Sequence, residues 1–365
     1  MRILNEKAIE HMALGASLLG TGGGGDPHIG KLMALDAVRK YGPVTLLSAD
    51  ELPDDALIVP SAMMGAPVVI IEKLPNGQEF IHAFKGLEGV LGKKVYATIP
   101  IEAGGVNSMI PIAVAAQLGI PLVDADGMGR AFPELQMVTY HLDDIPASPM
   151  VIADEKGNTV ILNTITNKWA EDLARVLTVS MGASVMISIY PMTGRQVKES
   201  AILNIMSFSE DIGRIIMEGR EKNVLPLEEI LETTKGHALF KGKITDVERK
   251  LEGGFNRGLC KLSGVDDYKD MSMDIDFQNE NLVAARDGHI VATVPDLICI
   301  VDLDTMVPIT TESLKYGQRV LVLGIPCDSK WRSPKGLETV GPRYFGYDLD
   351  YVEIEKLAET KEPLP

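Results

Sequence analysis

Four consecutive glycines, Gly22, Gly23, Gly24 and Gly25, lie between Thr21 and an Asp26–Pro27 pair. Such a run leaves backbone N–H groups uncovered. Asp26 reads as an N-cap with Pro27 at the first helical position, so the following helix adds the positive end of its dipole. Together these groups can hold an anion or a developing negative charge. A dinucleotide fingerprint fits poorly, because the loop follows a helix and Asp26 places a charge where a phosphate would sit. The bland alternative is a helix–helix connector, for which four glycines are entropically unfavourable.

Two further segments carry acidic groups at strand ends. In Ile101-Glu102-Ala103-Gly104-Gly105-Val106-Asn107-Ser108, Glu102 follows an apolar strand at its C-terminal end, where open α/β sheets place ligands. Asn107 or Ser108 can serve as the cap of the next helix. In Asp124-Ala125-Asp126-Gly127-Met128-Gly129-Arg130, alternation on an extended chain puts both aspartates on one side. Neighbouring carboxylates repel, so one pKa rises, which suits acid–base work or a divalent metal. The structural alternative is an Asp-Gly turn neutralised by Arg130. The catalytic candidates are therefore Glu102, Asp124 and Asp126. The candidate substrate-binding residues are Gly22, Gly23, Gly24, Gly25, Asp26, Asn107 and Arg130.

Other reactive side chains offer less. The six histidines (His11, His28, His82, His141, His237 and His289) form neither HxH nor HExxH, so no sequence-local metal site exists. Cys260, Cys299 and Cys327 are far apart and contain no CxxC pair, which indicates neither a disulfide framework nor a cysteine zinc site. Cys327 follows a strand and reads as a buried thiol, with a reactive one as the alternative. A divalent metal on the carboxylates stays open, and no organic cofactor is indicated.

These groups need elements to position them. Residues 5–19 have helical apolar spacing, and a second helix is predicted from Pro27 to about Arg39. Strands are predicted over Val44–Leu47, Ala56–Pro60, Val68–Glu72, Lys94–Ile99 and Pro121–Val123, with a helix over Asn107–Leu118. That rhythm predicts an α/β unit with a largely parallel sheet. A hairpin is predicted around Lys156-Gly157-Asn158, then a helix capped by Asn167, a strand over Ser184–Tyr190 and a long helix from about Arg195 to Lys222. From Phe240 onward, short strands and turns predict a β-rich barrel or sandwich. The fold expected is an α/β domain over 1–165, then a helical connector and β-rich domain over 166–365.

The whole-chain properties set limits. A length of 365 residues favours two domains. The net charge is −16 and neither half is basic, which disfavours nucleic acid and anionic membrane surfaces. Glu6 and Glu10 interrupt any signal core, and the uncharged stretch Val176–Gly194 reads as a helix end and a core strand. A cytoplasmic location, a small-molecule substrate and room for self-association are the resulting expectations.

Seven segments, taken in order, resemble one family: GTGGGGDP (20–27), EAGGVNS (102–108), DADGMGRAFPELQM (124–137), GFNRG (254–258), VPDLI (294–298), YGQRVLVLG (316–324) and GPRYFGYD (341–348). They are similar to the S-methyl thiohydantoin desulfurase-like family, associated with hydantoinase/oxoprolinase systems. The resemblance implies two domains and chemistry on five-membered hydantoin-type rings, as a hydrolase removing sulfur from an S-methyl thiohydantoin-like substrate. It transfers no catalytic residue set. The alternatives are a non-catalytic small-molecule-binding subunit of such a system and a metal-dependent ring-opening amidohydrolase.

Overall fold

The computed structural model describes residues 1–65 and 77–359. The strand expected over Val68–Glu72 lies outside the described residues. Helix α1 (Glu6–Leu19) starts where Asn5 Oδ1 accepts from the Ala8 N–H at 2.8 Å, and it buries Ile9, Met12, Ala13, Ala16 and Leu19. Helix α2 (Pro27–Tyr41) has Asp26 as its N-cap, accepting from the His28 N–H at 2.7 Å. Helix α3 (Gln78–Leu91) went unread in the sequence, because Gly86, Gly89 and the flanking Gly77 and Gly92 dilute its periodicity.

The N-terminal sheet has nine strands, in the order β1 (Arg2–Ile3), β2 (Thr45–Leu47), β5 (Leu122–Val123), β4 (Ala97–Pro100), β3 (Leu57–Gly65), β9 (Ser184–Ser188), β7 (Met150–Ala153) and β8 (Thr159–Leu162), with β10 (Met192–Thr193) also on β3. β2, β5, β4 and β3 run parallel, and the remaining pairings are antiparallel. The sheet is therefore mixed, not largely parallel. The antiparallel half comes from the 150–193 hairpin and strands, which return beside β3. β9 and β10 follow residue 165 in the chain yet belong to this sheet.

Three helical expectations change. Helix α4 begins at Ile110 (Ile110–Leu118), and neither Asn107 nor Ser108 caps it. Helix α5 (Asn167–Ser180) is capped by Thr166, whereas Asn167 accepts from the Ala147 N–H and donates to the Ile145 carbonyl. The long helix expected over 195–222 is broken into α6 (Gly194–Ser200) and α7 (Ile205–Lys222). Between them β11 (Ile202–Leu203) pairs with β6 (Ala125–Asp126), and Asn204 turns at φ 64°. A tertiary strand pairing overrides local helical spacing there.

The C-terminal part is an antiparallel seven-stranded sheet curled into a half-barrel, with helices beside it. Its order is β16 (His289–Thr293), β15 (Glu280–Arg286), β14 (Ser272–Gln278), β13 (Phe255–Gly264), β12 (His237–Glu252), β18 (Arg319–Ile325) and β17 (Leu297–Asp302). Inside it Phe240, Ile275 and Val322 form a separate apolar core. β12 outruns β18, so its hairpin with β13 projects until the Phe255 ring lies 4.6 Å from the Arg175 guanidinium of α5. Among the described residues no helix is long and apolar enough to cross a membrane.

Candidate active site

The glycine loop is a joint between the two sheets. Thr21 O accepts from the Asn281 N–H at 2.8 Å, and Gly22 O accepts from the Thr311 N–H at 2.9 Å. A side chain on Gly24, which has φ 71°, would place its Cβ 2.5 Å from Gly104 Cα, so backbone packs directly on backbone. A Cβ on Gly23 would lie 1.9 Å from Glu280 Oε1. The Gly23 N–H closes on Gly20 O, but no protein acceptor meets the N–H of Gly24 or Gly25 among the described residues.

Those two residues edge a narrow cleft with room of about 80 Å³. Met63, Met64, Ile101, Val106, Phe132 and Leu135 make its apolar walls. Its polar groups are Glu102 and Asn107 from the β4–α4 connection, Asn279 and Glu280 from the β14–β15 turn, and Glu134 and Arg175 at its edge. Both domains therefore supply acids to one space.

Glu102 is buried, and Asn107 Nδ2 donates to its Oε1 at 2.6 Å. Asn107 is itself fixed, since its Oδ1 accepts from the Met63 N–H at 2.9 Å. Burial pushes the Glu102 carboxyl up to about 7, although the Asn107 donor, the Phe132 amide and the Arg130 charge all oppose it. A group poised there can take and return a proton near neutral pH. Glu280 is buried as well, and among the described residues its Oε2 has no hydrogen-bond partner. Burial, then the neighbouring Glu102 charge, raises its pKa well above its ordinary 4.5, which favours the protonated form.

The other sequence candidates go elsewhere. Asp124 turns to α7: its Oδ1 accepts from the N–H groups of Met206 and Ser207 at 2.9 and 3.0 Å, and Ser207 Oγ donates to Oδ2. It caps that helix from outside. Asp126 accepts from the Met128 and Gly129 N–H groups at 3.2 and 2.8 Å, and burial raises its pKa. It borders the cleft through Met128 without lining it. Asp26 is used as the α2 cap.

Arg130 is fully buried, and its guanidinium makes five hydrogen bonds. They run to Thr21 Oγ1 and to the carbonyls of Ala131, Asn281, Pro295 and Asp296. It ties the glycine loop to both domains. Cys327 is buried outside the cleft, and burial pushes its thiol up to about 12. Among the described residues no group of three or more His, Cys, Asp or Glu side chains could hold a metal ion.

Family models match nearly the whole chain: S-Me-THD-like, N-terminal domain, over residues 7–164, and S-Me-THD-like, C-terminal domain, over residues 165–354. The chain belongs to the S-Me-THD-like family. No curated protein matches it significantly. A crystal structure of a protein from Chromobacterium violaceum is similar at 23% identity and a TM-score of 0.81, covering 97% of this chain and 100% of that one. At that identity the likeness speaks for a shared fold.

Glu280 is the residue of this S-Me-THD-like protein that sequence reasoning missed. Its signal is the polar run Gln278-Asn279-Glu280-Asn281, which interrupts apolar alternation where β14 turns into β15. All four of these side chains are buried. A buried acid at a strand turn is a functional candidate once its burial is known.

Proposed function

We propose that this S-Me-THD-like protein is a hydrolase that removes sulfur from an S-methyl thiohydantoin-like ring. The observation that carries the reading is the buried carboxyl pair, Glu102 and Glu280, in one apolar-walled cleft beside the free amides of Gly24 and Gly25. The family name supplies the ring class.

The chemistry follows from the two protonation states. Ionised Glu102 accepts a proton from water while the water oxygen bonds to the ring carbon bearing sulfur. Negative charge develops on the ring nitrogen of the former C=N bond. The Gly24 and Gly25 amides can stabilise it, an effect worth about 2.7–4 kcal/mol per donor in measured cases. Protonated Glu280 gives its proton to that nitrogen. The C–S bond then breaks, the tetrahedral hydroxyl loses its proton to the Glu280 carboxylate, and the proton held by Glu102 leaves with methanethiolate. A hydantoin and methanethiol result, and both carboxyls return to their starting states.

The test is thiol release from an S-methyl thiohydantoin, followed with a chromogenic reagent, with and without chelator. Release that survives chelation supports the carboxyl pair. Loss on chelation moves water activation to a metal. No release from any ring in a panel of hydantoins and thiohydantoins would leave the binding-subunit reading ahead.

A further inference from the structure

A second groove lies on the outer face of the C-terminal sheet, where β12, β13 and β14 meet the 345–347 segment. It offers room of about 370 Å³, enough for a small molecule. Strand register sets what faces it. Arg257 lies opposite Gln278, and Leu259 lies opposite Asp276, so these four side chains share one face of the sheet. Phe277, between Asp276 and Gln278, points the other way into the half-barrel core. Phe345 and Tyr347 line the groove beside them.

The polar groups on that face are unspent. Gln278 is 5% exposed, yet among the described residues no hydrogen bond meets its side-chain amide. The half-buried Asp276 carboxylate has neither a donor nor a cation, the Arg257 guanidinium has no carboxylate, and the Tyr347 hydroxyl has no partner, again among the described residues. Buried polar groups are normally paired, so a set of unpaired ones facing a groove needs an occupant. The other charges lining it are accounted for. Arg249 donates to the Thr311 and Leu314 carbonyls, Lys250 pairs with Glu252, and Glu248 is exposed to solvent. Burial raises the pKa of the Tyr347 hydroxyl, Asp276 adds to the rise and Arg257 opposes it, so both charges are felt at one hydroxyl. Burial, then the Asp274 charge, raises the Asp276 carboxyl, and no cation offsets that rise. Arg257 and Asp276 therefore face the same space without neutralising each other.

We propose that this groove binds a free α-amino acid as its zwitterion, with the carboxylate on Arg257, the ammonium on Asp276 and an apolar side chain against Leu259 and Phe345. A guanidinium fork suits a carboxylate, and a carboxylate suits an ammonium. A simple anion would leave Asp276 facing it, and a simple cation would face Arg257. A ligand carrying both charges meets neither objection. Arg257 and Asp276 are diagonal neighbours on paired strands, at about 7–8 Å between backbones, which lets both side chains reach the two charged groups on one α-carbon. The Gln278 amide lies beside them and can accept from the same ammonium. The site is separate from the cleft: Gln278 faces the groove, whereas Asn279 and Glu280, next in the chain, line the cleft. The proposal therefore does not depend on the reaction assigned above.

Isothermal titration calorimetry of the full chain with L-leucine tests it. Saturable binding at one site is expected. 4-Methylpentanoate lacks the ammonium and 3-methylbutylamine lacks the carboxylate, so each should bind about 10- to 100-fold more weakly, as the loss of one charged hydrogen-bonded contact implies. Asp276→Asn and Arg257→Gln should each weaken leucine by a similar factor with an unchanged circular dichroism spectrum, and Tyr347→Phe provides a further groove variant should either misfold. Glu102→Gln, in the cleft, should bind leucine as the wild type does. No heat of binding at millimolar leucine overturns the proposal. So does binding that the folded groove variants leave unchanged, binding lost in Glu102→Gln, or 4-methylpentanoate binding as tightly as leucine.

Discussion

Replacing Glu102 with glutamine should slow the proposed thiol release and stabilise the fold, and the second effect should depend on pH. Burial raises this carboxyl from its ordinary 4.5 to about 7. At about 1.4 kcal/mol per pH unit, holding it ionised in the folded state costs about 3 kcal/mol. The sign follows from proton counts. Below about pH 4.5 the carboxyl is protonated in both folded and unfolded chains, and there is no cost. Between about 4.5 and 7 the folded chain keeps a proton that the unfolded chain has lost, so stability falls as pH rises. Above about pH 7 the full cost is present.

Glutamine matches the shape and carries no charge. It keeps one oxygen for the Asn107 donor but gives up one acceptor, a loss of about 1 kcal/mol. The expected net gain is therefore about 2 kcal/mol near pH 8, turning into a small loss near pH 4.5. Urea melts of both proteins at the two pH values measure it. The same variant should lose about 10²–10⁴ in the rate of thiol release, as a missing general base does. A variant less stable than wild type near pH 8, or stabilised equally at both pH values, would refute the buried-base reasoning.

Three further outcomes are expected. Glu280→Gln removes the transferable proton and should cut thiol release by about 10²-fold or more, with loss of the alkaline limb of the pH–rate profile. Asp124→Ala removes the oxygen acceptors at the start of α7 and should cost about 1–2 kcal/mol in a urea melt while kcat stays at the wild-type value. A folded variant with a large rate loss would return Asp124 to the chemistry. Cys327→Ser should keep the full rate of the proposed thiol release, since the thiol is outside the cleft and burial holds it protonated up to about 12; inactivation of the wild-type protein by a thiol reagent, abolished in this variant, would contradict that.

What was legible in the sequence was what short-range chemistry decides. Asp26 starts a helix, the 150–162 hairpin turns at Gly157, and α1 shows its buried face by spacing alone. The glycine run was legible as special, because no helix or strand tolerates it without a reason. The long-range choices were not. Nothing local says that Ile202–Leu203 will leave a helix to pair with Ala125–Asp126, or that Asp124 will cap α7 from 80 residues upstream. The alternation argument put Asp124 and Asp126 on one side as a repelling pair, but Asp124 turns to α7 and Asp126 to the Met128 and Gly129 amides, and burial, not Asp124, raises the Asp126 pKa. Glu280 was invisible for the opposite reason: a lone Glu between two asparagines reads as a solvated turn until the other domain is placed over it.

The cleft exists because the domains meet, and the same residues do both jobs. Gly23 leaves the space that Glu280 fills, Gly24 lets the loop lie against Gly104, and Arg130 binds the loop's Thr21 to carbonyls in both halves. Undocking would wet Glu102 and Glu280 together, and without burial their pKa values would fall toward those of ordinary carboxylates. Glu102 would then be a weak base, and Glu280 would hold no proton to give. The perturbed pair is thus a property of the docked state, not of either domain's sequence, and the buried Arg130 cation limits how far both carboxyls rise. On this account the four glycines act less as a flexible hinge than as a tight seam. Their missing side chains permit the close approach, and that approach dries the acids and leaves Gly24 and Gly25 at the edge of the cleft with no protein acceptor for their N–H groups among the described residues.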